Sequence, residues 1–190
     1  MSTASPYADR HRAVAQRFAD LVAEVRDWDA PTPVPEWSAR GVVAHLVGWL
    51  PGFLDGAGVP VEPGPDVVTD PVAAWRHQSE QVQALLESAH ADAEVTHPML
   101  GTMAREVLID RFYTADVFMH TWDLARSCGL DDTLDPDTAV AMLEGMSAME
   151  DVIRASGQFG TRQPVADDAP AGDRLMAFAG RDPGWRPPGA

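Results

Sequence analysis

Three side chains in this sequence have the types and spacing of a divalent-metal site. Asp116 and His120 stand four residues apart in the run Asp116-Val117-Phe118-Met119-His120-Thr121-Trp122-Asp123. A helix turns about 100° per residue, so the two lie roughly 40° apart around its axis. A carboxylate oxygen and an imidazole nitrogen can then reach one point beside the helix. Asp123 continues the stripe, and Val117, Phe118, Met119, Trp122 and Leu124 surround it with apolar surface. His45 is the only polar side chain between Gly41 and Trp49. Two imidazoles and one carboxylate suit Zn²⁺ first, with Ni²⁺ or Fe²⁺ as alternatives. Three protein ligands leave coordination positions open, which marks a reactive site rather than a structural one.

Each residue also has a plainer reading. An acidic-x-x-x-His pair arises often on a solvated helix face, where it contributes little. A lone histidine on an apolar helix is commonly a core residue satisfied by one hydrogen bond. Asp123 either orients a ligand histidine through the ring nitrogen facing away from the metal or is a surface carboxylate paired with Arg126. Gly41 and Gly48, one turn either side of His45, either leave space for a ligand or permit close helix packing. Of the other histidines, His11 is expected to be exposed and His77 to face solvent. His90 and His97 fall in a connection from which either is free to approach the site. Cys128 reads as a small buried hydrophobe rather than a ligand or nucleophile.

The elements that would carry these residues are helical. Val14, Phe18, Leu21, Val22, Val25 and Trp28 recur at three- and four-residue steps, predicting a helix over 8–28. Pro31, Pro33 and Pro35 then exclude one. Ser38 is the expected cap of the next helix, with Trp37 as its staple and Pro51-Gly52 as its end or kink. Residues 55–69 form a loop long enough to be functional, and it is expected to shape the mouth of the site together with the 89–101 connection. Asp70-Pro71 opens a helix to about Ser88, with Val72, Trp75, Val82, Leu85 and Leu86 inward. The 89–101 connection reads as a short hairpin or an irregular crossover. A helix over 102–127 follows, closed by Gly129. Another runs over 135–155 with Val140, Met142, Leu143, Met146, Met149, Val152 and Ile153 inward, and a short one covers 171–179. The class is all-α: a four-helix bundle with one or two additional helices and an irregular C-terminal tail. We divide it into a metal-binding bundle, 1–156, and a tail, 157–190, whose short helix packs on the bundle.

Two stretches resemble a known family. Trp37-Ser38-Ala39-Arg40-Gly41-Val42-Val43-Ala44-His45-Leu46-Val47-Gly48-Trp49 resembles the W-[ST]-x-R-D-L-V-A-H-L-x-G signature of the DinB/YfiT-like metalloproteins. His120-Thr121-Trp122-Asp123-Leu124-Ala125-Arg126 is similar to the H-x-W-D-L-A-R motif of their actinobacterial branch, which contains mycothiol-dependent maleylpyruvate isomerase. The tail, from Phe159-Gly160 through Arg174 to Pro183, also looks like this group. The resemblance implies a four-helix bundle whose divalent ion is held by His45, Asp116 and His120. It implies mycothiol as co-substrate, its pKa lowered at the ion so that the thiolate attacks an electrophile. Asp116 stands where the branch carries Glu, so its helix must sit closer to the ion or a water must bridge. The isomerase's separate C-terminal domain has only a short tail in its place here. Thiol-dependent transfer is therefore expected rather than maleylpyruvate isomerisation itself. The alternative is a non-enzymatic metal- or ligand-binding bundle, such as a stress-associated protein.

Composition bounds the remaining classes. All 14 basic residues are arginine, which excludes lysine Schiff-base and P-loop chemistry. The net charge of −15 opposes nucleic acid and anionic membranes. One cysteine allows no intrachain disulfide. The opening residues, Met1 to Tyr7, contain no apolar leader core, and no run approaches the ~18 apolar residues of a membrane span. The expected setting is the cytoplasm. The expected partners are a small-molecule thiol and an electrophile, with a homodimer as the assembly.

Overall fold

The computed structural model describes residues 5–188. Met1–Ala4, on which part of the leader reading falls, and the last two residues of the tail lie outside the described residues. Helix α1 (Pro6–Glu24) begins where the Ser5 hydroxyl accepts the Tyr7 amide and Pro6 takes the first helical position. It ends four residues earlier than its apolar spacing predicts. Val25 turns extended, and the Asp27 side chain accepts the Asp29 amide at 3.0 Å, which stabilises a turn instead.

Helix α2 (Ala39–Asp55) starts as expected, with the Ser38 hydroxyl accepting the Gly41 amide at 3.2 Å. Pro51 does not end it. The proline removes one ladder bond, but Leu50 and Leu54 are fully buried on either side and hold the last turn in place. Helix α3 (Pro71–Glu87) is capped by Asp70 and buries Pro71, Ala74, Trp75, Gln78, Val82 and Leu86. Val72 falls off that stripe and is exposed, and Leu85 is half-buried.

The connection after α3 is the hairpin, β1 (Glu94–His97) against β2 (Gly101–Ala104), antiparallel with Val95 opposite Met103. The strand takes the residues up to Ala104, so the helix expected from 102 starts three residues later. It is not uniform. Helix α4 (Arg105–Leu108) passes into a π-helical segment, Ile109–Thr114, and then into α5 (Ala115–Cys128), with right-handed helical backbone at both junctions. Gly129 closes α5 in the left-handed conformation at φ +66°, as its position predicts.

Helix α1 packs between α3 and α5, and α2 likewise packs between α3 and α5. The core of this four-helix arrangement includes Phe18, Leu46, Leu50, Trp75, Val82, Tyr113 and Val117. A second apolar cluster covers the opposite side of α5. There Phe118, Met119 and Trp122 meet Leu134, two residues before α6 (Pro136–Ser147), together with Ala139 of α6 and Leu175 and Met176 of α8 (Ala171–Phe178). The helix expected over 135–155 is broken, since Met149 leaves helical geometry and α7 (Glu150–Ala155) begins anew. Helix α6 packs on α8, so Val140, Met149 and Val152 are exposed rather than inward. The fold is thus an all-α bundle with additional helices and one small hairpin. Its decisive feature is that α5 lies between two cores. Every residue from Val117 to Ser127 is buried, so the polar ones among them must find partners inside the protein.

Candidate metal centre

Helices α2 and α5 pack side by side and bring His45, Asp116 and His120 together. One ligand-capable atom from each lies within 4.8 Å of the others. His45 Nε2 is 2.8 Å from Asp116 Oδ2, and His120 Nε2 is 3.4 Å from Asp116 Oδ1. The two imidazole rings stand 4.8 Å apart at 66°. Asp116, although the shorter carboxylate, reaches His45 Nε2 directly.

Two tryptophans frame the group. The Trp49 indole donates to Asp116 Oδ2 at 3.0 Å. Trp37 lies against both imidazoles, with ring centroids 4.8 Å from His45 and 5.5 Å from His120. The residue expected as a helix staple therefore also forms a wall of the site. Trp49 stands four residues after His45, and that spacing puts it on the same helix face.

The site is closed on one side and open on the other. His120 is 3% exposed, whereas the His45 and Asp116 side chains are 29% and 19% exposed. Gly48 is exposed, and a Cβ placed on it would meet nothing within 4 Å. A Cβ on Gly41 would make only ordinary contacts with Trp37 and Ser38. Close packing accounts for neither glycine.

Asp123 settles between its two readings. It is fully buried, and its Oδ2 lies 2.8 Å from His120 Nδ1. Its cationic partner is Arg181, with Nη2 at 3.1 Å from Oδ2 and Nε at 3.4 Å from Oδ1. Arg126 instead pairs with Asp132 and Asp173.

Burial and charge act against each other here. Burial disfavours the charged Asp116, but the neighbouring imidazoles, His120 foremost, hold its carboxyl well below the usual range. Burial would likewise strip the proton from His120. The Asp116 charge, with hydrogen bonds to Asp116 and Asp123, outweighs it and raises the His120 pKa to about 9. Asp123 also resists burial and stays ionised, held by Arg181 first and by His120 next.

The remaining candidates lie elsewhere. His11 is not exposed; it is fully buried in α1, with Nδ1 2.8 Å from Gln83 Oε1, and burial lowers its pKa. Its polar sequence neighbours concealed a position one turn before Ala15 and two before Phe18 on the buried stripe. His77 is half-buried, with Nε2 3.2 Å from the Glu62 carbonyl. The loop around it lines a cavity of about 280 Å³ with Val47, Pro51 and Gln78, and none of the triad lines that cavity. His90 is exposed. His97 packs on Phe53 at 4.6 Å, and Phe53 packs on Trp49, so the hairpin reaches the site through two aromatic rings. Cys128 is a half-buried free thiol, its pKa pushed up by burial and by Asp27 and Glu24.

The fold and its convergent His-Asp-His group define a helical bundle with a candidate metal centre between two of its helices. Comparison with known proteins places the chain further. The family described as the mycothiol maleylpyruvate isomerase N-terminal domain matches residues 11–125, and the chain belongs to that family. An uncharacterised protein of Mycobacterium tuberculosis, found in strains CDC 1551 / Oshkosh and ATCC 25618 / H37Rv, is 31% identical over 176 residues. That match covers 90% of this chain and 95% of the relative. No solved structure matches the chain. Among the described residues, no helix is long and apolar enough to cross a membrane.

Proposed function

We propose that the protein is a divalent-metal-dependent thiol transferase or isomerase-like enzyme. Its ion would be held by His45, Asp116 and His120, and it would use mycothiol or a related low-molecular-weight thiol against a small electrophile. The convergence of these three donors at the mouth of a buried wall is the observation that carries the reading.

The donor chemistry fits an ion such as Zn²⁺. A tetrahedral centre with bonds of ~2.0–2.1 Å separates its ligand atoms by about 3.3 Å; one ligand atom from each of the three residues lies within 4.8 Å of the others, so a modest inward movement of the side chains would close them on an ion. Such an ion supplies positive charge that favours the thiolate over the thiol near neutral pH. The chain's own residues do the positioning. Donation from His120 Nδ1–H to Asp123 turns Nε2, with its lone pair, toward the site. The Trp49 indole fixes one Asp116 oxygen and leaves the other facing His120. Trp37 covers both rings and excludes water from that side. The exposed edges of His45 and Asp116 mark the side from which a thiol would approach.

The reading predicts that Zn²⁺-loaded protein consumes mycothiol when offered a panel comprising an activated alkene, an epoxide and an alkyl halide. Loss of free thiol is the readout, and His120→Ala should return the rate to that of buffer. Thiol that persists with every electrophile under metal-replete conditions would remove the enzymatic part of the proposal.

A further inference from the structure

We propose that Arg181, in the segment after α8, is a positioning residue of the metal centre: it acts through Asp123 to hold the His120 ring in place. The inference rests on the metal-site reading above and adds to it a residue 56 positions beyond the family-matched region, 11–125.

The geometry forms a three-residue chain. Arg181 meets Asp123 with two donors, Nη2 on Oδ2 at 3.1 Å and Nε on Oδ1 at 3.4 Å. A planar guanidinium that engages both carboxylate oxygens fixes the plane of the carboxylate as well as neutralising it. Oδ2 of that fixed carboxylate lies 2.8 Å from His120 Nδ1. Asp123 is fully buried. Without Arg181 it would lose its foremost counter-charge and the two-point contact that fixes its plane against the imidazole.

Arg181 is itself aimed. Its backbone amide donates to the Met176 carbonyl at 2.9 Å, and its Nη1 donates to the Ala179 carbonyl at 3.3 Å. Gly180 before it turns the chain at φ +97°, and a Cβ there would stand 2.6 Å from the Gly160 Cα. Nearby contacts tie the same segment to α5. The Trp122 indole donates to Asp173 at 3.1 Å, and Arg126 lies over the Trp122 ring, bonds Asp173 at 2.9 Å and also donates to the Pro183 carbonyl. Trp122, Asp123 and Arg126 of the H-x-W-D-L-A-R stretch thus all engage the C-terminal segment. His120 is left facing the metal centre.

The test uses the full chain as wild type, Arg181→Met and Arg181→Lys. Helical circular dichroism verifies the fold of each. Two quantities are read. One is Zn²⁺ affinity by chelator competition. The other is the His120 Nδ1–H signal in metal-free protein by ¹⁵N-resolved NMR, seen as a hydrogen-bonded, slowly exchanging ring proton. Residues supporting a ligand histidine typically change affinity by about 10–100-fold, and Arg181, one step further out, is expected at the lower end, near tenfold. Arg181→Met should show that loss together with rapid exchange of the ring proton. Arg181→Lys keeps one charged donor and should fall between it and wild type. Unchanged affinity and an unchanged ring proton in the Met variant would overturn the inference. Wild-type protein that takes up no Zn²⁺ would remove the metal-site reading instead. The ring proton then decides alone, and its persistence in both variants overturns Arg181 as a positioning residue.

Discussion

His120→Ala is expected to weaken Zn²⁺ binding by roughly a hundred- to a thousand-fold. Structural zinc sites bind with about 10–16 kcal/mol in total, so one of four coordination positions carries on the order of 3 kcal/mol. The loss should be larger than for His45→Ala. His120 is 3% exposed and lies against Asp116 on one side and Asp123 on the other, so its removal takes a partner from each of two carboxylates shielded from water. The His45 side chain is 29% exposed, and water can take its place. Chelator-competition titration of the two variants against wild type measures the order. Equal losses would contradict the asymmetry, and no loss in either would contradict the site.

Metal affinity should fall steeply with acid. The His120 pKa, raised to about 9 in the metal-free protein, means that its ring carries two protons at neutral pH. An ion binding at Nε2 must displace one of them. Below that pKa, affinity should drop about tenfold per pH unit, or roughly a hundredfold between pH 8 and pH 6, with proton release measurable by calorimetry in buffers of different ionisation enthalpy. The metal-free protein should respond in the opposite direction. A histidine whose pKa rises on folding contributes stability that is fully present below its unfolded value of ~6.5. That contribution is lost as pH rises through about 9. The melting temperature of metal-free protein should therefore decline between pH 7 and pH 10 more than that of metal-loaded protein. Parallel declines would show that the metal does not engage this proton.

The helices and the triad were legible in the sequence because their signals are local. Ser38, Asp70 and Gly129 are caps that act within a single turn, and all three act where they were expected to. The i, i+4 spacing of Asp116 and His120 survives because α5 is regular there. What escaped depended on tertiary context. The π-helical geometry over Ile109–Thr114 has no compositional mark; within it Ile109 and Tyr113 are buried in the core. The apolar residues of 135–155 predict one inward stripe, but the helix breaks at Met149, and Val140, Met149 and Val152 stay exposed while α6 packs on α8. His11 looked exposed because its sequence neighbours are polar, although its helix face is not. Asp123 offered two partners, and no spacing rule could prefer Arg181, 58 residues away, over Arg126 on the same helix.

The most direct measurement is the position of the metal. A crystal of the full chain grown with one equivalent of Zn²⁺ and measured on both sides of the zinc absorption edge should show one anomalous peak per chain, about 2.0–2.2 Å from His45 Nε2, His120 Nε2 and an Asp116 carboxylate oxygen. A peak elsewhere, or these three side chains ordered around no peak while zinc is present, would contradict the account.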